Sequence, residues 1–596
     1  MEKKKIFFVL FILIVILAFV LVSFSSCSGK KVKPNILLVT IDTLKTDHVG
    51  GYGYPRQTTP FIDSLAKKGV IFRHAFTPLP LTAGSHATIL TSLHPLTHGV
   101  ITNGNSLDHK VQTIAEVLKE NGYYTIGAVG VSFLSQRYNF QQGFDSFSDK
   151  PGKGYYRNAK EVNKSLLKQI DNYVALKEQK PFFIWVHYYD PHTPYRNRKY
   201  TFKREIPRRF LNGYEKNGRV VHRYDTEIRF TDEAVKTLVE YLKKKGLDKQ
   251  LLTCVTADHG EQHGEHGGWN GHYDFYTETI WVPLLFHGYK IPQGKSIRQW
   301  VSTMDIAETL LHTAGLDFRY ETEGCDLLKV EEKAPVDPGR EFLVVGNPED
   351  IKSIQLIKYP FSYILNFDHH YGYWCLSEKD VVPGEQFKKI SKEQISLKQK
   401  KFKKVTLNFI DSFREGLYYA GVRVDLEEKN YNKKIRTWFN HRLFNQLVIN
   451  RKLNHFTVWH PITTMDRLDF KIGCYVAADT KFKEIKYSIL SEQEFLKYAD
   501  QLGRLDNRIV TKLRTNRKES TIDELFDLEK DWAMNKNLLK TKGIIPFKNK
   551  IADYKKLLYK RFEFYYMKGK KLLGKVTKKR ELTKKELEML KSLGYL

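Results

Sequence analysis

Three apolar runs that each end in an acid constrain this chain more than any other feature. "KPNILLVTID" delivers Asp42, "KPFFIWVHYYD" delivers Asp190, and "LLTCVTADHGE" delivers Asp258 followed by His259. Short apolar runs rich in β-branched and aromatic residues, closed by polar segments, read as strands buried on both faces. The segments "TPFIDSLAKKGVIF" and "VQTIAEVLKENGYYTIGAV" each read as helix, stop and strand, with Gly122 as the second stop. "YDTEIRFTDEAVKTLVEYLKKKGL" is amphipathic at helical spacing. This alternation specifies an α/β sheet with helices on both faces. Ligands of such sheets sit beyond the carboxyl ends of the strands, where all three acids fall.

The flanks read differently. Residues 1–30 have a basic start, an apolar run over 6–22 and small residues before Cys27 in "FSSC". That is an export signal, either a lipoprotein signal that lipidates Cys27 or an uncleaved anchor. Both place the remaining chain on the outer side of a membrane, periplasmic or at the cell surface. From about residue 331 to 520 the alternation breaks into aromatic, basic, irregular sequence, read as an insertion and a smaller α+β region. Residues 521–596 end in a basic helical tail. Lys and Arg number 97 against 67 Asp and Glu, a formal charge of +30, which favours an anionic ester, a glycan, or a lipid surface. No zinc finger, RNP-type motif or recognition-helix pattern supports nucleic acid. The five cysteines have no Cys-x-x-Cys spacing, and Cys254 within an apolar run reads as a buried thiol.

"TADHGEQHGEHGGWNGHYDFY" gathers Asp258, His259, His263, His266 and His272 among glycines. With Asp42, these donors suit a divalent cation, although any one histidine could be an ordinary loop residue. "PLTAGSHATILTSLH" places Thr82 and Ser85 where the chain turns into a helix. A hydroxyl there feels the positive helix end and could act as a nucleophile, or it could simply cap the helix. Spacing leaves both readings open.

Several motifs in order then resemble the sulfatase branch of the alkaline phosphatase superfamily: "NILLVTIDTLKTDHVGGYGY", "PLTAGSHATILTSLHPLTHGV", "VTADHGEQHGEHG", "GHYDFYTETIWVPLLF" and "VSTMDIAETLLHTAGL", with "ELFDLEKDWAMNKNLL" and "LKSLGYL" near the end. The resemblance implies a three-layer α/β/α sandwich over residues 34–330, with a smaller C-terminal α+β region and a family-like end within 521–596. It implies one divalent ion (Ca²⁺, Mn²⁺ or Zn²⁺) held by Asp42, Thr82, Asp258 and His259. Thr82 stands where sulfatases carry the residue converted to formylglycine, which implies that it is the nucleophile. Asn103 and His192 match groups that hold ester oxygens, and His272 matches the group that stabilises the leaving oxygen. Thr43 replaces a second acid common in the family, which weakens a calcium site of many carboxylates. Threonine lacks the geminal diol that lets a sulfated intermediate collapse by elimination, so a phosphate or phosphonate ester is expected ahead of a sulfate ester. The alternatives are a phosphoethanolamine-type phosphoryl transferase and a non-catalytic binding protein on the same fold.

Overall fold

The computed structural model describes residues 33–149, 156–196, 200–208, 218–267, 271–272, 274–330, 332, 335–346, 353–366, 523–542 and 545–573, together with strand segments between 388 and 491. The export segment and Cys27 lie outside the described residues, as does the C-terminal "LKSLGYL".

The expected strands form. β1 (Asn35–Ile41), β2 (Gly69–Phe76), β3 (Tyr124–Val129), β4 (Ser146–Ser148), β5 (Phe182–Tyr188), β6 (Leu251–Ala257), β7 (Trp281–Gly288) and β8 (Lys295–Ser302) make one eight-stranded sheet. Its order is β4-β3-β5-β1-β6-β7-β2-β8. β1 is central, parallel to both β5 and β6, whereas β7 runs antiparallel to β6 and β2. Four of its residues, Ile36–Val39, are fully buried, as the unbroken apolar run requires.

Alternation along β5 shows the two covered faces. The His187 and Trp185 rings lie 4.7 and 5.7 Å from the ring of His86, on the helix α2 (Thr82–Thr91) that follows α1 (Pro60–Lys67). Tyr188 points the other way and donates to Asn163 at 2.7 Å. The chain continues through the short α3 (Pro95–His98), α4 (Ile114–Glu120), α5 (Ala159–Val174, which carries Asn163), α6 (Arg219–Lys244) and α7 (Asp305–Ala314). Thr113 and Glu116 close a capping box at the start of α4. The fold is α/β with helices on both faces, as expected.

A second, antiparallel sheet joins β9 (Glu341–Val345), β10 (Ser353–Lys358), β11 (Phe361–Asn366) and the strand Asp523–Asp527. The long helix α8 (Lys548–Leu573) packs on it, with Tyr554 donating to the Lys358 carbonyl at 2.9 Å and Arg561 paired to Glu341 at 2.7 Å. Between β11 and Asp523, the described segments are strands in two four-stranded antiparallel sheets. That part of the sequence reads as irregular because its apolar positions are interleaved with lysine, arginine and aromatic residues.

Candidate active site

Asp42 follows the last residue of β1, and Asp258 and His259 follow the last residue of β6. Parallel pairing, Ile41 opposite Ala257, therefore sets these groups side by side. Their ligand atoms all lie within 4.8 Å of one another. His259 Nε2 is 3.5 Å from Asp258 Oδ2 and 3.9 Å from Asp42 Oδ1. All three residues are fully buried.

Thr82 is brought to them by α2, of which it is the first residue. The turn is tight: a Cβ on Gly84 would meet Leu79 Cδ2 at 2.1 Å and the Val100 carbonyl at 2.7 Å. Neither candidate hydroxyl caps the helix. Leu81 stands at the N-cap position, and Ser85 donates instead to the Asp258 carbonyl at 2.7 Å. Asn103 does that work: its Oδ1 accepts from the Ala83 N–H at 2.9 Å. The Thr82 hydroxyl is buried, beside the Asp42 carboxylate and without a hydrogen bond of ordinary geometry.

The electrostatics of the cluster are those of a cation pocket. Both Asp42 oxygens, Asp258 Oδ2, His259 Nε2 and Thr82 Oγ1 are buried without a hydrogen-bond partner. The His259 Nδ1–H donates to the Gly260 carbonyl at 2.9 Å, which leaves the Nε2 lone pair facing the two acids. Burial pushes the Asp42 pKa well up, and the like charges of Asp258 and Glu261 push it further. Burial also raises Asp258 and lowers His259 to about 3. Acceptors this crowded, with the Thr82 hydroxyl the sole O–H among them, fit a divalent ion, which would reverse the penalty on both carboxylates.

The remaining expected residues lie around this pocket. Asn103 Nδ2 is buried and unpartnered, its orientation set by the Ala83 bond. His272 donates Nδ1–H to the Pro80 carbonyl at 2.8 Å, and its ring lies 4.2 Å from that of His259. His192 donates Nδ1–H to the Thr193 carbonyl at 2.5 Å, its ring 5.9 Å from that of His272. Burial, with His259 and His192 nearby, holds His272 well below the ordinary imidazole range. Asp190 is elsewhere employed: its carboxylate accepts the Ala159 N–H at the start of α5. Thr43 offers no carboxylate; its N–H donates to Asp258 Oδ1 at 3.1 Å and its carbonyl accepts from Tyr224.

Several neighbours have no spacing signal in the sequence. His187 Nδ1 accepts from the Gly130 N–H at 3.3 Å, so a neutral ring carries its proton on Nε2, which lies 3.4 Å from Asp42 Oδ2. His86 donates Nδ1–H to the Thr82 carbonyl at 2.7 Å and accepts at Nε2 from the Thr40 hydroxyl at 3.0 Å. Glu261, fully buried, accepts from Tyr195. Lys45, also buried, pairs with Glu265 at 2.6 Å.

An α/β sheet with a buried acid–histidine pocket at its strand ends, closed by a helix-start hydroxyl, defines the class as a hydrolase built for an anionic ester. The sulfatase family profile matches residues 34–316. Residues 34–316 thus match the sulfatase family, and several of the relatives they resemble are named sulfatases. An ulvan-active sulfatase of Formosa agariphila is 25% identical over 351 residues, covering 53% of this chain and 68% of that protein. A lipoteichoic acid synthase-like protein of Bacillus subtilis is 25% identical over 316 residues, covering 49% of each chain. The phosphonate monoester hydrolase structure of Agrobacterium radiobacter is similar at 18% identity and a TM-score of 0.45, covering 56% of this chain and 88% of that one.

Proposed function

We propose that this protein is a divalent-metal-dependent ester hydrolase in which Thr82, unmodified, is the nucleophile, and that phosphate or phosphonate esters are preferred to sulfate esters. The observation that carries this reading is the buried Thr82 hydroxyl, which caps nothing and faces Asp42 within the cluster of unpartnered acceptors. Asp42, Asp258, His259 and Thr82 would hold the ion. Zn²⁺ or Mn²⁺ suits the mixed nitrogen and oxygen donors better than Ca²⁺. Such an ion supplies Lewis-acid stabilisation of an ester oxygen and eases loss of the threonine proton.

The chain's own groups account for the rest. The start of α2 directs its positive end toward an anionic ester. Asn103 offers its Nδ2 donors, and the His192 ring lies 5.9 Å from that of His272. Thr82 Oγ1 forms a bond to phosphorus as the bond to the leaving oxygen breaks, and the alcohol departs with a proton. The proton the alcohol carries away is the one Thr82 loses; His272, neutral at rest, takes it up and returns it to the leaving oxygen. Water then attacks phosphorus, the threonine–phosphorus bond breaks, and the Thr82 hydroxyl is restored as phosphate leaves. A sulfated threonine would need attack at sulfur, having no second hydroxyl to expel the sulfate. Transfer to an acceptor alcohol in place of water is the second reading, supported by the likeness to the lipoteichoic acid synthase-like protein.

The substrate is an anionic ester, glycan- or lipid-linked, met outside the cytoplasm by a protein tethered through residues 1–30. Among the described residues no helix is long and apolar enough to cross a membrane. Matched panels of sulfate monoesters, phosphate mono- and diesters and phosphonates, assayed with Zn²⁺, Mn²⁺ and Ca²⁺, test the reading. Phosphorus esters should turn over fastest, Thr82→Ala should abolish turnover at an unchanged melting temperature, and Thr82→Ser should retain part of it. Peptide mass spectrometry should show ordinary threonine at 82. Faster turnover of sulfate esters, or an active Thr82→Ala, defeats the proposal.

A further inference from the structure

Three large hydrophobic side chains are exposed among the described residues: Leu176 at 42%, Phe564 at 48% and Met567 at 49%. Two lie on α8. Ile551, Tyr554, Leu558, Phe562 and Tyr565 are buried on its inner face, and a Cβ on Gly569 would meet the Leu96 carbonyl at 2.3 Å, so the rotation of the helix is fixed. Outward point Lys556, Lys560, Phe564, Met567, Lys570 and Lys571, all exposed. At 3.6 residues per turn they fall within about 120° of arc, in a stripe roughly 22 Å long. Glu563, half-buried, is the acid within that stripe, and Asp553 lies one turn before it.

The position of the stripe adds to its composition. α2 leads away from Thr82 for ten residues, about 13 Å, to α3. There Tyr565 of α8 stacks on His94 at 4.1 Å and its carbonyl accepts from Thr97 at 3.2 Å. Leu176 follows the end of α5, just ahead of the start of β5, and so lies at the same end of the sheet, opposite the site. The chain also enters here: Lys33 donates to the Asn121 carbonyl at 2.7 Å, while Lys110 donates to the Leu573 carbonyl at 2.7 Å. Only α4, seven residues or roughly 10 Å, separates these two ties.

From this we infer that α8 rests on an anionic bilayer, its lysines on the headgroups and Phe564 and Met567 in the interfacial layer, with the pocket at Thr82 turned away from that surface. Four exposed lysines around two exposed apolar side chains match the pairing of charge and apolar contact that holds interfacial helices.

The full chain, incubated with vesicles of phosphatidylcholine with or without phosphatidylglycerol, tests this independently of the chemistry at Thr82. A benzophenone amino acid replaces Phe564, Met567 or, as a control at the pocket end, Lys203. Irradiation should attach lipid at 564 and 567 in the anionic vesicles and not at 203. Lys560→Glu with Lys571→Glu should lower the yield at least tenfold without changing turnover of a small ester. Lipid attachment at 203 equal to that at 564, no attachment at 564 and 567, or yields indifferent to the charge reversal would each overturn the inference. Preferential labelling of an added acidic polysaccharide at 564 would overturn it too, assigning the stripe to a soluble polymer.

Discussion

On the proposed reading Asn103 joins two tasks in one side chain. Its oxygen accepts the Ala83 N–H and so fixes the first turn of α2, while its buried nitrogen remains available to an ester oxygen. Asn103→Asp separates them. The carboxylate still accepts from Ala83, now with the added pull of a charge at a helix start, so the melting temperature should hold. The donor is lost and a repelling oxygen takes its place, so kcat should fall by about 10²–10³-fold, the range for removing one donor to a developing oxyanion. A matching fall in thermal stability would show that the cap alone matters. His187 is the second case. Its Nε2 lies 3.4 Å from Asp42 Oδ2, and a donor behind a carboxylate that holds a metal commonly changes metal affinity by about 10–100-fold. His187→Leu should weaken metal binding by that much in equilibrium dialysis, with His187→Gln less affected. Unchanged affinity would leave His187 as packing only. The sequence shows Asp42, Thr82, Asp258 and His259 because each ends a strand or starts a helix within a recognisable motif. It gives no joint role for His187 and His86, because only the pairing of Thr40 with His187 across β1 and β5, and the α2 turn above it, brings them together.

At the scale of elements, the loop after β6 is clamped to the C-terminal segment. His266 Nδ1 is 2.7 Å from Glu278 Oε1 and its Nε2 is 3.0 Å from the Met534 carbonyl, and Tyr276 donates to Glu524 at 3.1 Å. Two acceptors on one ring call for the doubly protonated imidazolium. Burial opposes that charge, but the bond to Glu278 and its negative charge outweigh it, leaving the His266 pKa above its ordinary value. A folded-state value raised above the unfolded one contributes stability that is complete below the ordinary imidazole range. That contribution is lost as pH climbs through the raised value. The wild-type protein should therefore lose about 1 kcal/mol across that rise, the scale of a charge-assisted hydrogen bond discounted for partial exposure. Proteolysis near Met534 should accelerate over the same window. His266→Gln should flatten both profiles; unaltered profiles in the variant would place the titration elsewhere. None of this is legible in the spacing, because the clamp spans 268 residues of sequence between His266 and Met534.

For the whole molecule, helix-and-strand alternation was enough to specify the α/β sheet and the end at which its ligands gather. It could not specify the antiparallel β7, since a buried strand reads the same in either direction. Nor did it reveal the strands between residues 402 and 491, whose alternation is blurred by basic residues. The way that stretch is inserted leads to a last prediction. β11 and the strand Asp523–Asp527 are hydrogen-bonded neighbours in register, Leu365 opposite Asp523, so the host sheet closes across the point where the intervening chain departs and returns. The candidate metal ligands come from the ends of β1 and β6 and the start of α2, none of them in the sheet that carries the inserted stretch. Replacing residues 367–522 with a short Gly-containing turn should leave a hairpin in their place. The shortened protein should bind one divalent ion per chain and turn over a small ester within about threefold of the parent. The removed stretch carries 30 Lys and Arg against 19 Asp and Glu. If it recruits an anionic polymer, activity on a long glycan-linked ester should fall while the small ester is spared, a split visible in the two kcat/KM values. Loss of metal together with loss of folding would instead show that the inserted strands support the core sheet.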